Sequence, residues 1–97
     1  MRLRVTTRAA TQIETALAYI EADSPQGANR VRERISTLFL LLSQHPYAGQ
    51  ATDLQGVRRL TVSPYPYLIF YRVTDDEVII QRTRHTSRRP LSASQSP

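Results

Sequence analysis

The stretch Tyr67 to Val73 (YLIFYRV) constrains the fold of this chain most, because as a strand it is apolar on both faces. Side chains alternate across a strand, so Tyr67, Ile69, Tyr71 and Val73 take one face and Leu68, Phe70 and Arg72 the other. Such a strand belongs in the middle of a sheet with both faces covered. Neighbours are at hand on either side. Asp75-Asp76 supply a hairpin turn into Val78-Ile79-Ile80, a strand that runs to about Arg84 and turns polar as it leaves the core. Upstream, Val57 to Val62 reads as a strand with Leu60 and Val62 facing in and Arg59 and Thr61 facing out, broken by Pro64 and Pro66. The segment from Tyr47 to Gly56 reads as a loop.

The first half of the chain changes period. Arg2 to Val5 alternates, with Leu3 and Val5 on one side, as a short strand does. Thr6 or Thr7 can then cap a helix whose apolar positions are Ala9, Ile13, Ala16, Leu17 and Ile20, with Tyr19 on the flank of that stripe. Asp23 marks its end. Ser24 is a good N-cap and Pro25 suits a first helical position, so a second helix follows at once. Ala28, Val31, Ile35, Leu38, Phe39 and Leu42 form its stripe, while Arg30, Arg32, Glu33 and Arg34 lie mainly off it. Leu40 and Leu41 widen the apolar surface at the C-terminal end, which is therefore buried on two sides or covered by a partner. His45-Pro46 stops the helix.

The order strand, two helices, three strands (β-α-α-β-β-β) predicts an α+β sandwich, a helical hairpin packed on one face of a mainly antiparallel sheet with the other face open. A chain of 97 residues has room for a single domain, here residues 1–90, and the tail 91–97 (LSASQSP) reads as disordered. Cysteine is absent, which excludes thiolate metal sites and cysteine nucleophiles. No metal-ligand cluster, glycine-rich phosphate loop or nucleophile elbow is visible, so neither a metal nor another cofactor is expected. Met1 is followed by alternating charge instead of an apolar segment, and the run Leu38 to Leu42 is too short to cross a bilayer. A cytoplasmic protein with no membrane partner is expected.

The net charge is +5 and every basic residue is arginine, a composition that bias towards arginine codons can also produce. Arginine binds carboxylate and phosphate in bidentate fashion, so an acidic protein or a nucleic acid is the expected partner. The arginines concentrate at the end of the last strand, where Arg82, Arg84, Arg88 and Arg89 fall within eight residues around His85.

The element order, the HPYAG turn after the second helix, the GVRRLTV strand, PYPYLIFYRV and the terminal RTRHTSRRP together resemble the RelE/ParE superfamily of bacterial toxins from type II toxin–antitoxin modules. The resemblance covers nearly the whole chain, and its specificity lies in the combination. It implies a toxin wrapped and neutralised by the C-terminal segment of a small antitoxin, with operator DNA bound only through that antitoxin. Two mechanisms occur in the superfamily: RelE-like members are ribosome-dependent mRNA endonucleases, and ParE-like members inhibit DNA gyrase without known enzymatic activity.

Cutting RNA through its own 2′-hydroxyl requires a base, an acid and cations for the charged phosphorane. The RelE branch supplies basic residues on the second and third strands and a tyrosine near the C-terminus. Here Arg59 falls near one basic position, Thr61 and Leu68 stand at two others, and no tyrosine follows Tyr71. The pattern favours the ParE-like branch, a gyrase inhibitor held by a ParD-like antitoxin, with no catalytic residue. The expected target-binding residues are Arg82, Arg84, His85, Arg88 and Arg89. The expected antitoxin-binding residues are Leu38, Leu41, Leu42, Arg59 and Arg72. In the alternative, a nuclease acting on mRNA at the ribosome, His85 serves as the base with Arg59 and Arg82 beside it. A third reading is an inactive toxin remnant that serves as an antitoxin-bound co-repressor. Each residue also has a plainer role: His85 and His45 as structural groups, Tyr65 and Tyr67 as core and rim packing, and Arg30 and Arg34 as a solvated helix face.

Overall fold

A computed structural model describes residues 1–87 of the chain. Its elements are β1 (Arg2–Val5), α1 (Thr7–Asp23), α2 (Pro25–Gln44), β2 (Gln50–Ala51), β3 (Val57–Thr61), β4 (Tyr67–Val73) and β5 (Glu77–His85). One sheet runs in the order β1-β5-β4-β3-β2. β1 pairs with β5 in parallel and the remaining pairs are antiparallel. This is the expected α+β sandwich. Arg88, Arg89 and the tail lie outside the described residues.

Both helix starts follow from side-chain oxygens that satisfy otherwise unpaired amides. Thr6 has extended backbone geometry, and its Oγ1 accepts from the Ala9 amide at 3.1 Å. The same hydroxyl donates to the Gln81 carbonyl at 3.2 Å, so one side chain both caps α1 and ties it to β5. Thr6→Ala should therefore lower stability by about 1–2 kcal/mol in urea unfolding, and Thr6→Ser should recover most of that loss. Ser24 ends α1 through its amide, 2.8 Å from the Ile20 carbonyl, and begins α2 by accepting from the Gly27 amide at 2.9 Å. Pro25 occupies the first turn of α2, where its missing N–H removes no helical bond.

The helical hairpin packs its stripe onto one sheet face. Ala9, Leu17, Val31, Ile35, Leu38 and Leu42 meet Val62, Tyr67, Ile69, Tyr71, Val78 and Ile80 in a continuous core. The opposite face carries a smaller cluster of Val57, Leu68 and Phe70, each less than a tenth exposed. β4 is thus buried on both sides, as its composition requires.

Two features depart from the expected outline. The segment between α2 and β3 is not all loop, since Gln50–Ala51 form a strand paired with Arg59 and Arg58. A two-residue strand shows no alternation by which to recognise it. β5 also contains a bulge: Tyr71 pairs with Ile80 and Phe70 with Arg82, so Gln81 has no partner opposite it. One extra residue reverses the alternation of the strand from that point on. Val78 and Ile80 face the helices, and beyond the bulge Thr83 does so, while Arg82 and Arg84 turn to the other face. Thr83 is buried there with its Oγ1 lacking a hydrogen-bond partner, a local loss that accompanies the change of phase.

Candidate functional site

The sheet face away from the helices gathers the arginines into rows. Cross-strand register aligns Arg59, Phe70 and Arg82 in one row, and Thr61, Leu68 and Arg84 in the next. The Arg82 guanidinium lies 4.4 Å from the centre of the Phe70 ring and that of Arg84 lies 5.8 Å away. Both are within the range of cation–π attraction. The face is therefore not a bare apolar surface; arginine side chains cover its aromatic centre. Burial, followed by the like charges of Arg8 and Arg84, pushes the Arg82 pKa below the ordinary arginine value.

His85 does not join this cluster. It pairs with Tyr67, on the helix-side face, and its ring meets the Tyr67 ring edge-on with centroids 5.2 Å apart. Its Nδ1 accepts from the Ser87 amide at 3.1 Å. The nuclease alternative requires His85, Arg59 and Arg82 together; the bulge and register bring Arg59 and Arg82 to either side of Phe70 and leave His85 on the other face. Neither arginine row contains a histidine, tyrosine or carboxylate. Glu77 lies far along β5 from these rows, where Arg4 Nε and Nη2 donate to its carboxylate at 3.3 Å each.

The expected antitoxin residues separate as well. Leu38 and Leu42 expose 3% and 0% of their surface and belong to the internal core, so in the free chain they offer almost no surface to a partner. They lie four residues apart, on the same stripe as Val31 and Ile35, and that stripe is the one the sheet covers. Leu41 is half-buried against the core, whereas Leu40 is 60% exposed. Arg59 and Arg72 both remain at the surface of the sheet, where Arg59 Nη2 lies 3.5 Å from Gln50 Oε1 and Arg72 Nη1 donates to the Gln55 carbonyl at 3.3 Å. Tyr67 is buried in the core and Tyr65 packs on its rim. His45 caps α2, its amide donating to the Leu41 carbonyl at 2.7 Å.

Two arginines take roles that the sequence did not assign them. Arg58 faces the helix side, donates to the Gly49 carbonyl at 3.2 Å and lies 5.2 Å from the Tyr47 ring centre, so it fastens the loop before β3. Arg8, in the first turn of α1, shares a concavity of about 480 Å³ with Thr6, Leu54, Gln81 and Arg82. No local pattern links Arg8 to β5. Among the described residues no helix is long and apolar enough to cross a membrane.

The chain is thus a helical hairpin backing a mainly antiparallel sheet, with arginines on the opposite face. The sequence model described as the ParE toxin of type II toxin–antitoxin system, parDE, matches residues 3–90, and the chain belongs to that family. It is 37% identical to Y4kP of Sinorhizobium fredii over 79 residues, which are 81% of this chain and 82% of that protein. It is 36% identical to the toxin RelE2 of Caulobacter vibrioides over 83 residues, 86% of this chain and 92% of the relative. Among solved structures, the chromosomal ParDE toxin–antitoxin system of P. aeruginosa superposes with a TM-score of 0.77 at 27% identity, covering 90% of this chain and 97% of the other.

Proposed function

We infer that this toxin acts by binding DNA gyrase directly, without chemistry of its own, and that a ParD-like antitoxin neutralises it and carries any operator DNA binding. The observation that carries this reading is the composition of the arginine face. Arg59, Arg82 and Arg84 supply positive charge around Phe70, but their rows hold no group that could take or give a proton near neutral pH. A surface of this kind supports binding through bidentate contacts and electrostatic steering. The similarity to a ParDE system supports an antitoxin partner. Gyrase as the target makes the cytoplasm the place of action.

A second reading, a ribosome-dependent mRNA endonuclease, is favoured by the similarity to a relative named RelE2 and by the cations themselves, which suit RNA phosphates. One paired experiment separates the two. Purified protein is incubated with gyrase and relaxed plasmid, and in parallel with translating ribosomes and mRNA. Loss of supercoiling with intact mRNA is the expected result. Codon-positioned cuts with normal supercoiling would overturn the gyrase reading, and inactivity in both assays would replace it with the antitoxin-bound co-repressor.

A further inference from the structure

We propose that the concavity between the first turn of α1 and the bulge of β5 is a carboxylate-binding site, in which Arg8 and Arg82 grip an acidic side chain of an extended peptide and Leu54 receives an aliphatic neighbour. The proposal rests on the antitoxin half of the functional reading and identifies the chemistry by which such a peptide is held.

Four observations carry it. Arg8 and Arg82 line one concavity of about 480 Å³, large enough for a side chain with its flanking backbone. The ion pairs among the described residues are Arg2–Asp76 and Arg4–Glu77, at the far end of the sheet, so among the described residues no carboxylate pairs with Arg8, Arg82 or Arg84. The Arg82 guanidinium carbon lies 4.4 Å over the centre of the Phe70 ring, a cation–π contact, and a guanidinium suits a planar, two-oxygen acceptor. Arg8, finally, stands where a cation is unfavourable. It occupies the first turn of α1, which holds no acidic residue, so it faces the positive end of the helix dipole as well as Arg82. Like charges left unneutralised in the free protein mark a site arranged for an anion.

The local chemistry selects a peptide over a single-stranded nucleic acid. Base recognition uses exposed aromatic faces. The described lining of the concavity contains no aromatic ring, and Phe70, beneath Arg82, is 7% exposed. The side chain offered at the rim is Leu54, 59% exposed, which has no stacking surface and suits an aliphatic residue. The edge of β5 beside the site is closed to an added strand. The Thr6 amide and hydroxyl and the Gln12 side chain already bond Ile80, Gln81 and the Thr83 amide there. Recognition at this point is therefore by side chain.

The test uses the full chain, wild type and Arg8→Gln, with three probes: a ten-residue peptide of alternating leucine and glutamate, its leucine–glutamine counterpart, and a ten-nucleotide oligothymidylate. Binding is followed by NMR of the arginine Nε–H signals and by fluorescence titration. The glutamate peptide should shift the Arg8 and Arg82 signals, the glutamine peptide should not, and Arg8→Gln should weaken binding about tenfold. Removing Arg8 should also raise the Tm of the free protein by about 2–4 °C, because it relieves repulsion and the clash with the helix dipole. Glutamate-peptide binding indifferent to Arg8→Gln, or stronger Arg8 and Arg82 shifts with oligothymidylate, would overturn the proposal. Gyrase inhibition is read separately. A chain that binds the peptide through Arg8 but spares gyrase refutes the gyrase reading alone, and a chain that inhibits gyrase with Arg8-independent peptide binding refutes this site alone.

Discussion

Gly49→Ala should destabilise the protein by about 2–4 kcal/mol, read as a lowered urea midpoint at unchanged slope. Gly49 is buried, and a Cβ there would lie 2.6 Å from the Arg59 carbonyl oxygen and 2.6 Å from the Tyr71 hydroxyl. One obstacle is backbone of the paired strand β3. The other is a fully buried ring of the core. The Gly49 amide donates to the Tyr71 Oη at 2.8 Å, and its carbonyl accepts from Arg58 Nε at 3.2 Å. Moving the loop away would break both bonds and leave a buried amide unsatisfied. Tyr71→Phe removes the acceptor without adding volume and should lose about 1–3 kcal/mol, less than the glycine substitution. Equal stability of Gly49→Ala and wild type would show that the loop does not pack on β3 and Tyr71 as described.

The second large effect concerns the leucine run of α2. Leu42→Ala should lose about 2–5 kcal/mol, because a fully buried side chain leaves a cavity between the hairpin and the sheet. Leu40→Ala should change stability by no more than about 0.5 kcal/mol, since Leu40 is 60% exposed. The pair distinguishes core from binding surface. Were Leu42 to line a partner groove instead, its replacement would spare the free protein and weaken only the complex. Thermal unfolding of the isolated chain decides between these outcomes.

Much of the architecture is legible along the chain because it depends on neighbours in sequence. The alternation of Tyr67–Val73 specifies a strand covered on both faces, and β4 is one. The stripe from Ala28 to Leu42 and the Ser24-Pro25 start specify α2, and both hold in the structure. The same stripe already places Leu38 and Leu42 against the sheet. At about 100° per residue, Leu40 is turned away from both, so reading the whole leucine run as one surface blurred a distinction that helical geometry makes. β2 was not legible, because its two residues pair only where Gly49 lets the backbone approach Arg59 and Tyr71.

The arginine face separates the two kinds of information most clearly. Local sequence is enough for the elements, the caps and the core stripes, since propensity and periodicity act over a few residues, while the superfamily came from the resemblance of its motifs. Which face each arginine takes is a different matter. Gln81 becomes an extra residue only when β5 is laid against β4, and that register sends Arg82 and Arg84 to Phe70 while His85 goes to Tyr67. Arg8 meets Arg82 for the same reason: the two are distant in the chain, and only the packing of α1 on the sheet brings their charges into one concavity.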